Sequence, residues 1–196
     1  MEGSAAPRAG LGLPLVLASR SPQRRVILGR LGVAFTVRSA EVTELDTGDP
    51  AMLVSENALR KARAARTPGA QEAVIGCDTV VVLHGVVFGK PSSEAEARAT
   101  LRALSGVTHE VLSGLAVLLP CGARIAVART LVSFRSLGED LLDWYLATGE
   151  WRGRAGGYAI QGAGAALVRS VQGDYENVVG LPLATLLDLY PDLLNR

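Results

Sequence analysis

Cysteine and histidine are scarce in this chain of 196 residues: Cys77 and Cys121, His84 and His109 are all there is. Two cysteines are too few for a disulfide framework and lack the spacing of a metal-binding pair. With so little histidine, a structural zinc site is excluded as well. An excess of charge of one sign is also missing. Twenty basic and 19 acidic residues leave a net charge of +1, which argues against nucleic-acid binding through bulk charge. A local phosphate-binding patch stays open. No uninterrupted apolar run approaches a membrane span, and no internal repeat has a solenoid period. Aromatic residues make up only 5%, so the core is mostly aliphatic. What remains is a reduced, cytoplasmic enzyme or binding protein with neither nucleic acid nor membrane as partner.

What is abundant is glycine, at 22 residues, with 48% hydrophobic residues overall. One domain of tight turns accommodates that composition. Residues 1–13 read as a disordered leader, without the apolar stretch of a signal peptide. Residues 14–196 read as a single domain. A strand is expected over Pro14–Ala18. Ser21 and Pro22 have the N-cap and first-turn chemistry of a helix running to about Leu31, with Val26, Ile27 and Leu31 facing inward. Val33–Val37 reads as a strand and Glu41–Asp49 as an acidic loop. Ala51–Ala65 reads as a helix with Leu53, Leu59 and Ala62 inward and Arg60, Lys61 and Arg63 more outward. Ala73–Leu83 is the most buried-looking strand, turned at His84-Gly85 into Val86–Phe88. Ser93–Leu104 is helical. Thr108–Leu119 and Ile125–Phe134 form a long hairpin. A helix over Leu137–Thr148, a strand over Ala165–Val171 and a last helix from Leu183 complete the pattern. Alternating strands and helices followed by hairpins predict an α/β fold: a mixed twisted sheet flanked by helices, with a deep cleft.

Four features carry chemistry. Asp78 interrupts an apolar run, and a bare buried carboxylate costs several kcal/mol, so it must meet a cation, a metal or a cleft. Arg20, Arg24 and Arg25 surround the start of the first helix, where free N–H groups and the helix dipole attract anions. Lys90 is fixed between Gly89 and Pro91 and can reach a phosphate. Ala155–Gly164 is glycine-rich without being a Walker loop or a dinucleotide fingerprint. Its Gln161 offers both a donor and an acceptor to a base edge. Cys77 reads as a packing residue, His84 as a turn residue and His109 as a strand-surface residue. Each feature alone fits an ordinary surface or turn.

In combination they are more specific. Leu17-Ala18-Ser19-Arg20-Ser21-Pro22-Gln23-Arg24 resembles the opening motif of the Maf family, the septum-formation-inhibitor-like nucleotide pyrophosphatases. Lys61-Ala62-Arg63, Gly76-Cys77-Asp78-Thr79, Gly89-Lys90-Pro91, Leu104-Ser105-Gly106, Ala155–Gly162 and Val178–Leu183 resemble further blocks in order. The resemblance implies hydrolysis of a nucleoside triphosphate to monophosphate and pyrophosphate. It also implies a divalent cation, Mg²⁺ or Mn²⁺, and frequent homodimers. Asp78 matches the family's proton acceptor, and Ser19, Arg24, Lys61 and Lys90 match phosphate contacts. Glu44 matches an acidic position that helps hold metal, a role open to Asp78 too. Gln23, Thr79 and Gln161 match positions associated with base choice, and Thr79 with the Tyr-x-Ile-Gln block resembles the dTTP/UTP branch. Gln23 stands where that branch has Arg, Thr43 where an acid precedes Glu44, and Gly153 where an acid precedes a basic residue. The competing expectation is a nucleotide-binding regulator of cell division with little hydrolysis. A phosphatase releasing orthophosphate is a second.

Overall fold

The computed structural model describes residues 12–39 and 41–195. Most of the expected leader, up to residue 11, lies outside them. The strands are β1 (Leu15–Leu17), β2 (Thr36–Val37), β3 (Ala73–Leu83), β4 (Val86–Phe88), β5 (Thr108–Leu119), β6 (Gly122–Phe134) and β7 (Val168–Gln172). The helices are α1 (Pro22–Gly29), α2 (Pro50–Ala65), α3 (Glu94–Leu104), α4 (Glu139–Ala147), α5 (Tyr175–Val179) and α6 (Leu183–Leu189). Local chemistry starts the longer helices. Ser21, Asp49 and Ser93 each accept a hydrogen bond from a backbone N–H in the first turn of α1, α2 and α3, and Pro22 and Pro50 open the first two. These side chains satisfy donors that a helix start leaves free.

All seven strands form one mixed sheet in the order β2-β1-β3-β5-β6-β7, with β4 also on β3. β1 is parallel to β2 and β3; the remaining pairs are antiparallel. The expected fold class is therefore the observed one. Helix α2 covers one face through Ala58, Ala62, Val74 and Ala116. Ile27, Leu28, Ile75, Leu115, Leu181 and Leu186 fill the opposite face. A third cluster around Leu101, Phe134, Leu142 and Tyr145 closes the far end.

One detail of register positions everything that follows. β1 pairs with β3 only as far as Leu17 opposite Ile75, and β4 takes up the same edge at Val81 opposite Phe88. Between them, Gly76–Val80 have no strand neighbour on that edge, while β5 pairs with them on the other. A residue in the middle of a buried strand thus faces an opening.

Several local expectations are corrected. β2 is confined to Thr36–Val37. β7 begins at Val168 because Ala163–Leu167 winds into a 3-10 turn. Helix α5 has no counterpart in the sequence reading; it is a single capped turn too short for periodicity to reveal. Val26 is 61% exposed rather than inward. His109 lies inside, not on the strand surface. It is buried, edge-on to Phe134 at 4.8 Å, and its Nε2 is 3.0 Å from the Tyr158 hydroxyl.

Burial lowers the pKa of His109 from its ordinary 6.5 to about 4. The unfolded chain therefore takes up this proton at a higher pH than the folded one. The stability tied to a neutral His109 is complete above pH 6.5 and declines as pH falls towards 4. We expect His109→Phe to flatten that part of the curve of thermal midpoint against pH. Parallel curves for the two proteins would contradict the assignment.

Candidate active site

At the end of β1 the chain leaves for α1 and β2 on one side, while β3 lies on the other. Parallel strands that diverge in this way leave a crevice beyond their carboxyl ends. Here the crevice is a cleft of about 750 Å³. The loop Ser19–Ser21 and the start of α1 form one wall. The Ser19 hydroxyl accepts from the Ser21 N–H at 3.2 Å and from Arg24 Nη1 at 3.2 Å. Arg24 also donates from Nε to the Gly180 carbonyl at 2.7 Å and from Nη2 to Thr79 Oγ1 at 3.1 Å. One guanidinium thus joins α1, β3 and the segment after α5. Thr79 is further bonded to Ser113 on β5 at 2.8 Å. Gln23 accepts from the Ser21 hydroxyl at 3.2 Å.

Asp78 points to the other side of β3, towards α2. Two glycines let that helix come close. A Cβ on Gly76 would overlap the Ala58 carbonyl oxygen, and one on Gly114 would overlap that of Val54. The close approach brings two α2 side chains to the carboxylate. Lys61 Nζ is 2.6 Å from Asp78 Oδ1, and Asn57 Nδ2 is 3.1 Å from Asp78 Oδ2. Lys61, expected to lie more outward, turns into the cleft instead. It also meets Glu44 Oε1 at 3.0 Å, on the loop after β2. One ammonium therefore sits between two carboxylates. That pair of oxygen donors suits a hard divalent cation as well as an ammonium. Among the described residues no three His, Cys, Asp or Glu side chains gather as metal ligands. Phosphate oxygens and water would have to complete such a coordination shell.

The remaining wall is the glycine-rich segment. Gly156 and Gly157 adopt φ of 66° and 69°, a left-handed pair that side chains rarely tolerate. The Gly156 N–H donates to the Gly89 carbonyl at 2.9 Å, fastening this segment to the Lys90 loop. The Tyr145 hydroxyl accepts from Ala159 N–H at 3.1 Å. Lys90 and Gln161 are exposed and line the cleft. So do Arg152 and Arg154, residues that the sequence reading noted only as a departure from a motif. Arg152 stacks on Trp151 at 4.6 Å, and Arg154 Nε is buried without a partner. Among the described residues Lys90, Arg152 and Arg154 form no ion pair. Their charge is free for an anion. Burial raises the Cys77 thiol above its usual pKa, which keeps it protonated and a poor nucleophile.

Ser19, Gln23, Arg24, Glu44, Lys61, Asp78, Thr79, Lys90 and Gln161 all line this one cleft. Arg20 lines it too, while Arg25 is exposed outside it. The family model for Maf-like proteins matches residues 14–193. The chain belongs to the Maf family. Among similar proteins, the dTTP/UTP pyrophosphatase of Deinococcus radiodurans is 45% identical over 190 residues, covering 96% of this chain and 94% of the relative. That of Anaeromyxobacter dehalogenans is 50% identical, covering 87% and 89%. That of Pyrococcus abyssi is 42% identical, covering 89% and 94%. In this Maf-like chain, sequence reading missed Asn57, which stands behind the cleft on Asp78, as well as Arg152 and Arg154. The signal for Asn57 was its place four residues before Lys61, which puts both on one helix face.

Proposed function

We propose that the protein is a nucleoside triphosphate pyrophosphatase that hydrolyses dTTP and UTP, and modified pyrimidine nucleotides, to the monophosphate and pyrophosphate. The observation that carries this reading is Asp78, a carboxylate set in the break of the sheet and flanked by cationic walls. The names of the relatives supply the substrate class. Asp78 takes the proton of the attacking water, and Lys61, Lys90, Arg24 and Ser19 bind phosphate oxygens. Transition-state charge on those oxygens is what such donors stabilise. Asp78 and Glu44 would hold the divalent cation, Mg²⁺ or Mn²⁺. When bound, that cation neutralises phosphate charge and lowers the pKa of water. Gln23, Thr79 and Gln161 are the base-selecting side chains. A regulator that only binds nucleotide gains nothing from a carboxylate facing a triphosphate, which it repels. No helix among the described residues is long and apolar enough to cross a membrane. A cytoplasmic homodimer is part of the proposal, with sedimentation equilibrium as the check on assembly. Product analysis on a nucleotide panel with Mg²⁺ tests the activity: pyrophosphate supports it, while orthophosphate alone or no product overturns it.

Two expected results follow from the walls of the cleft. Lys90→Ala should raise the KM for UTP about tenfold, as the loss of a charge-assisted bond of about 1.5 kcal/mol. UMP binding and thermal midpoint should barely change, because Lys90 is exposed and forms no ion pair. Equal losses for UTP and UMP in titrations would move Lys90 to the α-phosphate or the base. The second concerns the base. UTP and dTTP should exceed 7-methyl-GTP in kcat/KM by at least about tenfold, or about 1.4 kcal/mol. The Gln161 amide complements the donor and acceptor of a uracil edge, and Gln23 gives a methylated purine no aromatic face. Competition kinetics in which 7-methyl-GTP wins would refute this assignment of Gln161 and Thr79.

A further inference from the structure

We infer that Asn57 is a positioning residue that couples Asp78 to the Glu44 loop, so that the two carboxylates act as one unit. Asn57 is buried at 1% exposure on α2, where a polar side chain must have its bonds satisfied. All of them are directed to the site. Its Oδ1 accepts from the Leu45 N–H at 2.7 Å. Its Nδ2 donates to the Leu45 carbonyl at 2.9 Å and to Asp78 Oδ2 at 3.1 Å. The amide thus clasps both backbone groups of Leu45 while occupying one oxygen of Asp78. Two consequences follow. The residue clasped is the one directly after Glu44, so Glu44 is held where Lys61 reaches it at 3.0 Å. With Oδ2 engaged, Oδ1 of Asp78 is the oxygen turned to the shared cation position, where Lys61 Nζ lies at 2.6 Å. No other side chain bonds the Leu45 backbone among the described residues. Glu44 itself is half exposed. Arg60 of α2 also ties its loop by donating to the Thr43 carbonyl at 3.2 Å, but Asn57 is the side chain that holds the residue next to Glu44 by both backbone groups while bonding Asp78.

This inference deepens the pyrophosphatase reading, and its test separates the two. Asn57→Leu keeps the branched shape and the number of heavy atoms, at the cost of two bulkier methyl groups, and removes all three bonds. The first arm uses no substrate. Glu-C protease cuts after glutamate, and the Glu44–Leu45 bond carries the N–H that Asn57 holds. Cleavage there, followed by mass spectrometry on the folded protein, should accelerate at least about tenfold in Asn57→Leu, as local opening becomes easier. The second arm is a double-mutant cycle with Glu44→Gln, which isolates coupling from simple loss. Glu44→Gln should cost at least about tenfold in kcat in the native background and under about threefold beside Asn57→Leu. Unchanged cleavage would show that Asn57 does not hold the loop, and equal costs of Glu44→Gln in both backgrounds would reduce it to a merely structural role; either result overturns the inference. If thermal unfolding shows that Asn57→Leu does not fold, Asn57→Ser takes its place in both arms. Absence of pyrophosphate release by the native protein defeats the functional reading alone, since the protease arm still decides the clasp.

Discussion

Asp78→Asn should lower pyrophosphate release from UTP by about 10²- to 10⁴-fold, the range typical of losing a general base. The protein should still fold and bind nucleotide. Asn is nearly isosteric, and the neighbours of Asp78 explain why the fold survives. Its ladder bonds to β5 are made by the backbone, so they do not depend on the side chain. Asn57 Nδ2, now 3.1 Å from Oδ2, can donate to the amide oxygen of Asn instead. Lys61 loses its 2.6 Å partner but keeps Glu44. The amide cannot accept the proton of water at neutral pH. It is also a weaker ligand for the cation shared with Glu44. Pyrophosphate release, nucleotide titration and thermal unfolding on the same sample check the three parts. A variant keeping more than about half the native rate removes Asp78 from the chemistry.

Gly114→Ala should damage activity without touching any residue that meets the substrate. Gly114 pairs with Asp78 across the β3–β5 ladder. A methyl group there would overlap the Val54 carbonyl of α2, and backbone cannot yield as a flexible side chain does. The helix must move away from the sheet. Overpacking of this kind costs about 1–3 kcal/mol, or roughly 3–10 °C in thermal midpoint for a domain of this size. Because α2 carries Asn57 and Lys61, the same displacement lengthens their contacts with Asp78. A misplacement of about 1 Å can cost about 10²-fold in rate. Activity should therefore fall well below what the thermal shift alone explains at a temperature where the variant is fully folded. A variant that is less stable yet fully active would show that the approach of α2 does not position the site.

Ser21, Asp78 and Lys90 were legible in the sequence because their chemistry is local, whereas Ser19 entered only through the family resemblance. A capped helix start, a carboxylate in an apolar strand and a Lys fixed between Gly and Pro each state a conflict or a constraint within a few residues. The reason Asp78 can exist where it does was not legible. It depends on where two other strands stop and start, a matter of register between segments distant in the chain. Gly76 and Gly114 carry no local signal of their purpose either; it lies in the close packing of α2 against both. Lys61 was expected outward because the helix period places it beside Arg60, yet the neighbouring acids Glu44 and Asp78 draw it in. Asn57 looked like an ordinary polar residue in a helix. His109 was misread because it lies between Thr108 and Glu110 at the polar start of β5, and a polar neighbourhood in the chain does not say whether the face a residue shares is covered. Here Tyr158 and Phe134 cover it.

Water activated at Asp78 should attack the α-phosphorus of a pyrimidine triphosphate, and hydrolysis of UTP in ¹⁸O-labelled water, with products resolved by ³¹P NMR or mass spectrometry, tests this most directly. One labelled oxygen in UMP and none in the released pyrophosphate is the predicted result. Label in pyrophosphate or in orthophosphate, or no turnover of UTP and dTTP with Mg²⁺ or Mn²⁺ present, would contradict it.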